Sequence, residues 1–238
     1  MILFDVDQTL LYSGGAGSLA MRRAFHQLYG IDDAFRRVEY SGRTDIAILR
    51  DAMRQSGLLA SPEAASDGRR ASRLADFPSE LARFQETYYR YLESTLREVD
   101  GGRTMPGVPE LLAALSARDG ARQGLATGNF RRAAFMKLRH FGLDGYLADG
   151  GFGDDAEDRG ELVAIAIRRL ADGAKVDPAS VWVVGDTMLD IEAARANGAR
   201  VLAVATGSTP AEALRTAGAD LVLADLSDRE AVLAALLG

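Results

Sequence analysis

Five short runs, Ile2–Val6, Gly124–Thr127, Val181–Val184, Val201–Ala205 and Leu221–Leu223, are apolar almost throughout instead of alternating with polar residues. Alternation marks a strand with one wet face. Continuous apolarity over so short a run marks a strand covered on both faces, the condition of strands in a parallel sheet. Helical patterns lie between these runs: Val108–Ala117 begins near Pro106, and Arg131–Phe141 ends before Gly142. Glu161–Leu170 and Ile191–Ala196 follow, the latter stopped by Asn197-Gly198. Strand–helix alternation of this kind predicts an α/β fold, a doubly wound, Rossmann-like parallel sheet with right-handed crossovers.

One stretch breaks the rhythm. From Gly14 to Gly102 there is no convincing strand, only the helical patterns Ser18–Leu28, Asp45–Gln55 and Ser79–Glu98. Glycines bracket it, with Ser13-Gly14-Gly15-Ala16-Gly17 on one side and Gly101-Gly102 on the other. The organisation expected is an α/β core of residues 1–13 and 103–238. A helical domain, 14–102, is inserted after the first strand through two flexible connections. The small polar residues between Ala60 and Ala75 read as a loop within it.

Composition narrows the function. A net charge of −6 argues against nucleic acid or an anionic membrane as the main partner, and pairs such as Arg22-Arg23 and Arg69-Arg70 read as solvated helix faces. With no cysteine, disulfides, thiolate metal sites and cysteine nucleophiles are excluded, and His26 and His140 are too few for a histidine metal cluster. No apolar run approaches the roughly 20 residues that span a bilayer. The Met1-Ile2-Leu3-Phe4 start carries no basic leader, so a cytoplasmic protein is expected. Of the 28 basic residues only Lys137 and Lys175 are lysine.

Polar residues gather where three of the apolar runs end. Asp5-Val6-Asp7-Gln8-Thr9-Leu10 closes the first. Residues two apart on a strand point the same way, so a regular strand puts both carboxylates on one side. At about 4 Å and an effective dielectric near 20 they would repel by roughly 4 kcal/mol. A bound cation, a shared proton or a turn between them must offset that. Thr127-Gly128-Asn129 opens the next helix, and a hydroxyl with free amides at a helix N-terminus forms an anion site. Alone it also reads as an N-cap with a turn glycine. Gly185-Asp186-Thr187-Met188-Leu189-Asp190 again places acids at a strand end. In an open α/β sheet the strand C-termini face one crevice, so the three clusters should converge. Hard oxygen ligands without His or Cys select magnesium, and a carboxylate beside such a cation and an anion site describes phosphoryl transfer.

These three clusters, in this order, resemble those of the haloacid dehalogenase superfamily. The likeness is to its phosphoglycolate-phosphatase-like branch, which carries a helical cap after the first motif, and it covers essentially the whole chain. The resemblance implies Asp5 as nucleophile and Asp7 as general acid/base. It implies Thr127, Gly128 and Asn129 as the phosphate-binding turn, and Asp5, Asp7 and Asp186 around Mg²⁺, with Asp190 supporting. A small phosphorylated metabolite would be hydrolysed through an aspartyl-phosphate by a monomer or homodimer. Because Asp7 is present, a phosphatase is favoured over the dehalogenase branch.

Two positions depart from the family pattern. Gln8 stands where glycine is usual, and the basic residue, most often lysine, matches neither lysine here. Lys137 falls mid-helix and Lys175 precedes a strand at its start, whereas Arg159, opening a helix, has the order and approximate spacing that the resemblance asks for and is preferred, with Lys137 the alternative. In the cap, Arg43 of Gly42-Arg43-Thr44-Asp45 is a candidate substrate contact, or an exposed neighbour of a helix N-cap. Tyr88, Tyr89 and Tyr91 read as core aromatics, and His26 as a surface residue. Two alternatives keep the same fold: a sugar-phosphate mutase, and a non-catalytic phospho-acceptor or binding module.

Overall fold

The computed structural model describes residues 1–59 and 77–238. The expected loop between Ala60 and Ala75, and the Arg69-Arg70 pair, lie outside them. Six strands form one parallel sheet: β1 (Ile2–Phe4), β4 (Gln123–Ala126), β5 (Gly150–Gly151), β6 (Trp182–Gly185), β7 (Arg200–Val204) and β8 (Leu221–Leu223). Their order is β5-β4-β1-β6-β7-β8, with β1 at the centre. In register, Phe4 lies between Leu125 and Val184. The five apolar runs all became strands. The sixth, β5, is a Gly-Gly pair with no side chain to carry a strand signal.

Side chains alternate across β1 as the pleat requires. Ile2 and Phe4 enter one hydrophobic layer, with Leu111 and Leu115 of α4 (Val108–Ser116) and Val232 of α9 (Arg229–Leu237). Leu3 enters the opposite layer, with Leu162 and Ala166 of α6 (Arg159–Ala171) and Ile191 of α7 (Met188–Ala196). This is the three-layer sandwich that continuously apolar strands call for, each fully buried leucine or isoleucine contributing about 1.5–3 kcal/mol.

The strand-poor insertion holds α1 (Ala16–Tyr29), α2 (Asp45–Gln55) and α3 (Phe77–Glu98). Phe25, Leu49, Met53, Phe84 and Leu92 make a core of their own, and Phe130 and Ala133 at the start of α5 (Arg131–His140) join it. Tyr88 and Tyr89 are buried there, and His26 pairs with Asp32 at the surface. The two connections are not independent flexible tethers. They pair as an antiparallel ribbon, β2 (Leu11–Tyr12) with β3 (Arg103–Thr104), extended by Met105 N–H donating to Leu10 O at 3.0 Å. Among the described residues no helix is long and apolar enough to cross a membrane.

Candidate active site

Three adjacent strands, β4, β1 and β6, end on the same rim and deliver Thr127, Asp5 and Asp186 to it. Asp5, Asp186 and Asp190 are all buried, and each offers an oxygen within 4.8 Å of the others. Arg159, the first residue of α6 and 8% exposed, lies among them. Its Nη2 is 3.2 Å from Asp5 Oδ1 and also pairs with Asp190 Oδ1. Asp190 has a second task, its Oδ2 accepting from the Thr187 N–H at 3.0 Å and hydroxyl at 2.6 Å. That contact closes a capping box at the start of α7 and fixes the loop carrying Asp186. Thr9, to which no role was given from sequence, donates its hydroxyl to Asp186 Oδ1 at 3.2 Å.

Three buried carboxylates around one guanidinium leave this corner short of positive charge. Burial pushes the Asp5 carboxyl up; Arg159 opposes this, while Asp190 and Asp7 add to it. Burial, then Asp190 and Asp5, push Asp186 up to about 8. A divalent cation would relieve both, and a donor set made only of hard carboxylate oxygens fits magnesium.

Asp7 goes elsewhere. Asp5 N–H still donates to Val184 O at 2.9 Å and the chain then turns, Leu10 N–H returning to Val6 O at 2.9 Å; both carboxylates line the same cavity but take different partners. Each acid of the Asp5–Asp7 pair has its own cation, Arg159 beside Asp5 and Lys137 beside Asp7. Asp7 Oδ2 accepts from Lys137 Nζ at 2.6 Å and from Asn129 Nδ2 at 2.8 Å. The buried carboxylate cluster is made of Asp5, Asp186 and Asp190, and the Asp7 carboxylate lies outside it. Lys137, set aside as a mid-helix residue, reaches the site alongside Arg159.

The turn after β4 is also more occupied than a bare helix terminus. Phe130 N–H donates to Asp45 Oδ2 at 2.8 Å, and Arg131 N–H donates to Asp154. The protein's own carboxylates thus sit at the start of α5, and of the turn residues Gly128 and Asn129 line the cavity. Thr127 is fully buried, its Oγ1 accepting from Asn129 Nδ2 at 2.9 Å. Gly128 has no room for a side chain, since a Cβ there would strike the Arg43 carbonyl.

That contact belongs to a seam where the cap loop rests on the core. Asp45 N–H donates to Gly128 O at 2.7 Å, Arg159 Nη1 to Gly42 O at 3.0 Å, and Thr44 Oγ1 to Glu157 O at 3.2 Å. Thr44 is the N-cap of α2. The Arg43 guanidinium turns back to Asp51, at 2.8 Å. Between cap and core lies a cavity of about 440 Å³, with Asp5, Asp7 and Asp186 on its floor and Gln8, Arg22 and Tyr40 around it. Arg22 is exposed, as a solvated helix face requires, yet it borders this cavity.

A parallel α/β core with strand-end aspartates, a Thr-Gly-Asn turn and a helical cap over both defines the class of capped α/β hydrolases. The chain belongs to the haloacid dehalogenase-like hydrolase family, whose model matches residues 1–198. It is 28% identical over 210 residues to the phosphoglycolate phosphatase of Rhodospirillum rubrum, covering 87% of this chain and 79% of that protein. Among solved structures it resembles a hydrolase from Pseudomonas syringae (TM-score 0.69, 22% identity, 100% and 99% of the two chains). It also resembles a predicted phosphoglycolate phosphatase from Haemophilus somnus (TM-score 0.66, 20% identity, 98% and 96%). At these identities the structural likeness establishes the fold alone.

Proposed function

We propose that this chain is a magnesium-dependent phosphatase that hydrolyses a small phosphate monoester through a phosphorylated Asp5, with residues 14–102 as the cap over a core of 1–13 and 103–238. The observation that carries this reading is the placement of Asp5. It is a buried carboxylate at the centre of the sheet, held by Arg159, grouped with Asp186 and Asp190 and open to the cavity.

Asp5 attacks phosphorus in line, and Arg159 keeps it ionised against burial. As the bond from phosphorus to the leaving oxygen breaks, Asp7 gives that oxygen its proton. Asp7 then takes a proton from water, whose oxygen attacks phosphorus and releases Asp5. Such proton transfers typically contribute about 10²–10⁴-fold. Thr127, Gly128 and Asn129 bind the phosphoryl oxygens. Asp5 and Asp186, with Asp190 supporting, would hold Mg²⁺, which when bound supplies positive charge beside the phosphoryl group.

The test is release of inorganic phosphate from a panel of phosphorylated metabolites in the presence of Mg²⁺. Phosphoglycolate heads the panel because of the Rhodospirillum rubrum relative. Turnover of at least one ester by the wild type, with none by Asp5→Asn, is the expected outcome. Equal turnover by both proteins would reject the nucleophile.

A further inference from the structure

Arg159 fills the place of the basic residue beside Asp5, which leaves Lys137 without an assigned task. Lys137 is nonetheless 4% exposed, in the middle of α5, on the same buried stripe as Ala133, Ala134 and Leu138. An ammonium is costly to bury unless it is paired and fully hydrogen-bonded. Here the pairing is specific. Nζ lies 2.6 Å from Asp7 Oδ2 and 2.5 Å from Asn129 Oδ1, while Asn129 Nδ2 donates to that same Asp7 oxygen at 2.8 Å. Lys137, Asn129 and Asp7 close a ring of three hydrogen bonds. Both donors fall on Oδ2. The Asp7 side chain, 40% exposed, lies at the cavity. The cap leaves space for this ring: Gly17 of α1 lies so close that a Cβ there would be 3.3 Å from Nζ.

We propose that Lys137 is a positioning residue for Asp7. With Asn129 it anchors Oδ2, so that Oδ1 is the atom that handles the proton. This rests on the reading of Asp7 as general acid/base. In the first step the Oδ1–H bond breaks and the proton joins the leaving oxygen, which takes the electron pair of its broken bond to phosphorus. In the second step Oδ1 receives a proton from water as the water oxygen bonds to phosphorus and the bond from phosphorus to Asp5 breaks. The two cations divide the work, Arg159 serving Asp5 and Asp190, and Lys137 serving Asp7.

Misplacing the acid should matter only where the leaving group needs its proton. An alkyl phosphate leaves as a strongly basic alkoxide, and p-nitrophenyl phosphate as a stable phenolate. The experiment therefore compares kcat/KM for both esters, with Mg²⁺, in the wild type, Lys137→Met and Lys137→Arg. Lys137→Met should lower the alkyl ester's kcat/KM about 10²-fold and the p-nitrophenyl ester's less than about 5-fold, and Lys137→Arg should recover part of the alkyl loss. Equal losses on both esters, or no loss on either, would overturn the assignment. If Lys137→Met does not fold by circular dichroism, the same ratio is read from Lys137→Gln. A wild type that cleaves neither ester removes the phosphatase reading and this inference with it. A wild type that cleaves both, silenced by Asp5→Asn, keeps that reading and lets the ratio decide on Lys137.

Discussion

Gln8 occupies left-handed backbone, at φ 64°, in the turn that follows Asp7. Its N–H donates to Leu11 O at 2.7 Å, and Thr206 donates its hydroxyl to the Gln8 carbonyl, so the turn imposes the conformation. A side chain there costs about 1 kcal/mol that glycine avoids, partly offset by glycine's freer unfolded state. Gln8→Gly should raise Tm by about 1–3 °C in thermal denaturation, and a fall would show that the glutamine side chain is itself stabilising. Asp45 gives a pH signature. Burial pushes its carboxyl up to about 7, against the pull of Lys137 and the Phe130 N–H. Unfolded, it titrates near ~3.9. Between about pH 4 and 7 the folded chain holds a proton that the unfolded chain has released, so stability falls as pH rises through that window. Asp45→Asn should therefore gain in Tm over the wild type from pH 4 to 7; a pH-independent difference would contradict the buried carboxyl. Lys137 was passed over as mid-helix, although a lysine on the apolar stripe of Ala133, Ala134 and Leu138 carried the signal of a buried, paired cation. Asp45 carried no such signal, because its partner Phe130 stands 85 residues away and no local pattern links them.

Elements were read best where burial wrote the sequence. The five apolar runs became strands, four of them buried and Leu221–Leu223 half-buried at the sheet edge, whereas Gly150-Gly151 is a strand only through its neighbour Leu125. The pairing of the two cap connections escaped the sequence for the same reason, Leu11–Tyr12 and Arg103–Thr104 being too short and too far apart to show a pattern. Asp5 and Asp7 both line the cavity, as two-residue alternation requires, but that Asp7 takes Lys137 and Asn129 as partners is beyond any local spacing. Seams between elements are equally silent in sequence, and the seam between the Arg43 loop and the Thr127 turn is the tightest test of cap placement. Gly128→Ala would press a methyl group into the Arg43 carbonyl. Overpacking of this kind costs about 1–3 kcal/mol, and on the proposed role of the cap it should lower kcat/KM by tenfold or more while circular dichroism of the α/β core is retained. Unchanged kinetics would mean that the cap need not sit so close.

At the scale of the whole molecule, one rim collects acids and two cations from segments spread over the chain, beneath a helical cap that rests on them. The charge imbalance among Asp5, Asp186 and Asp190 predicts that Mg²⁺ stabilises the fold, by about 2.7 kcal/mol at a hundred times its Kd. The signs are a higher Tm with Mg²⁺ and turnover lost to EDTA and restored by Mg²⁺; indifference of both would contradict the metal assignment. The central claim is that Asp5 itself carries the phosphoryl group. Acid quench of Asp7→Asn during turnover of p-nitrophenyl phosphate, followed by peptide mass spectrometry, tests it most directly, because that variant lacks the base for the second step. The account predicts a phosphoryl mass increment on the peptide bearing Asp5, absent when Asp5 is also replaced by Asn. An increment on any other residue, or one that survives loss of Asp5, would contradict it.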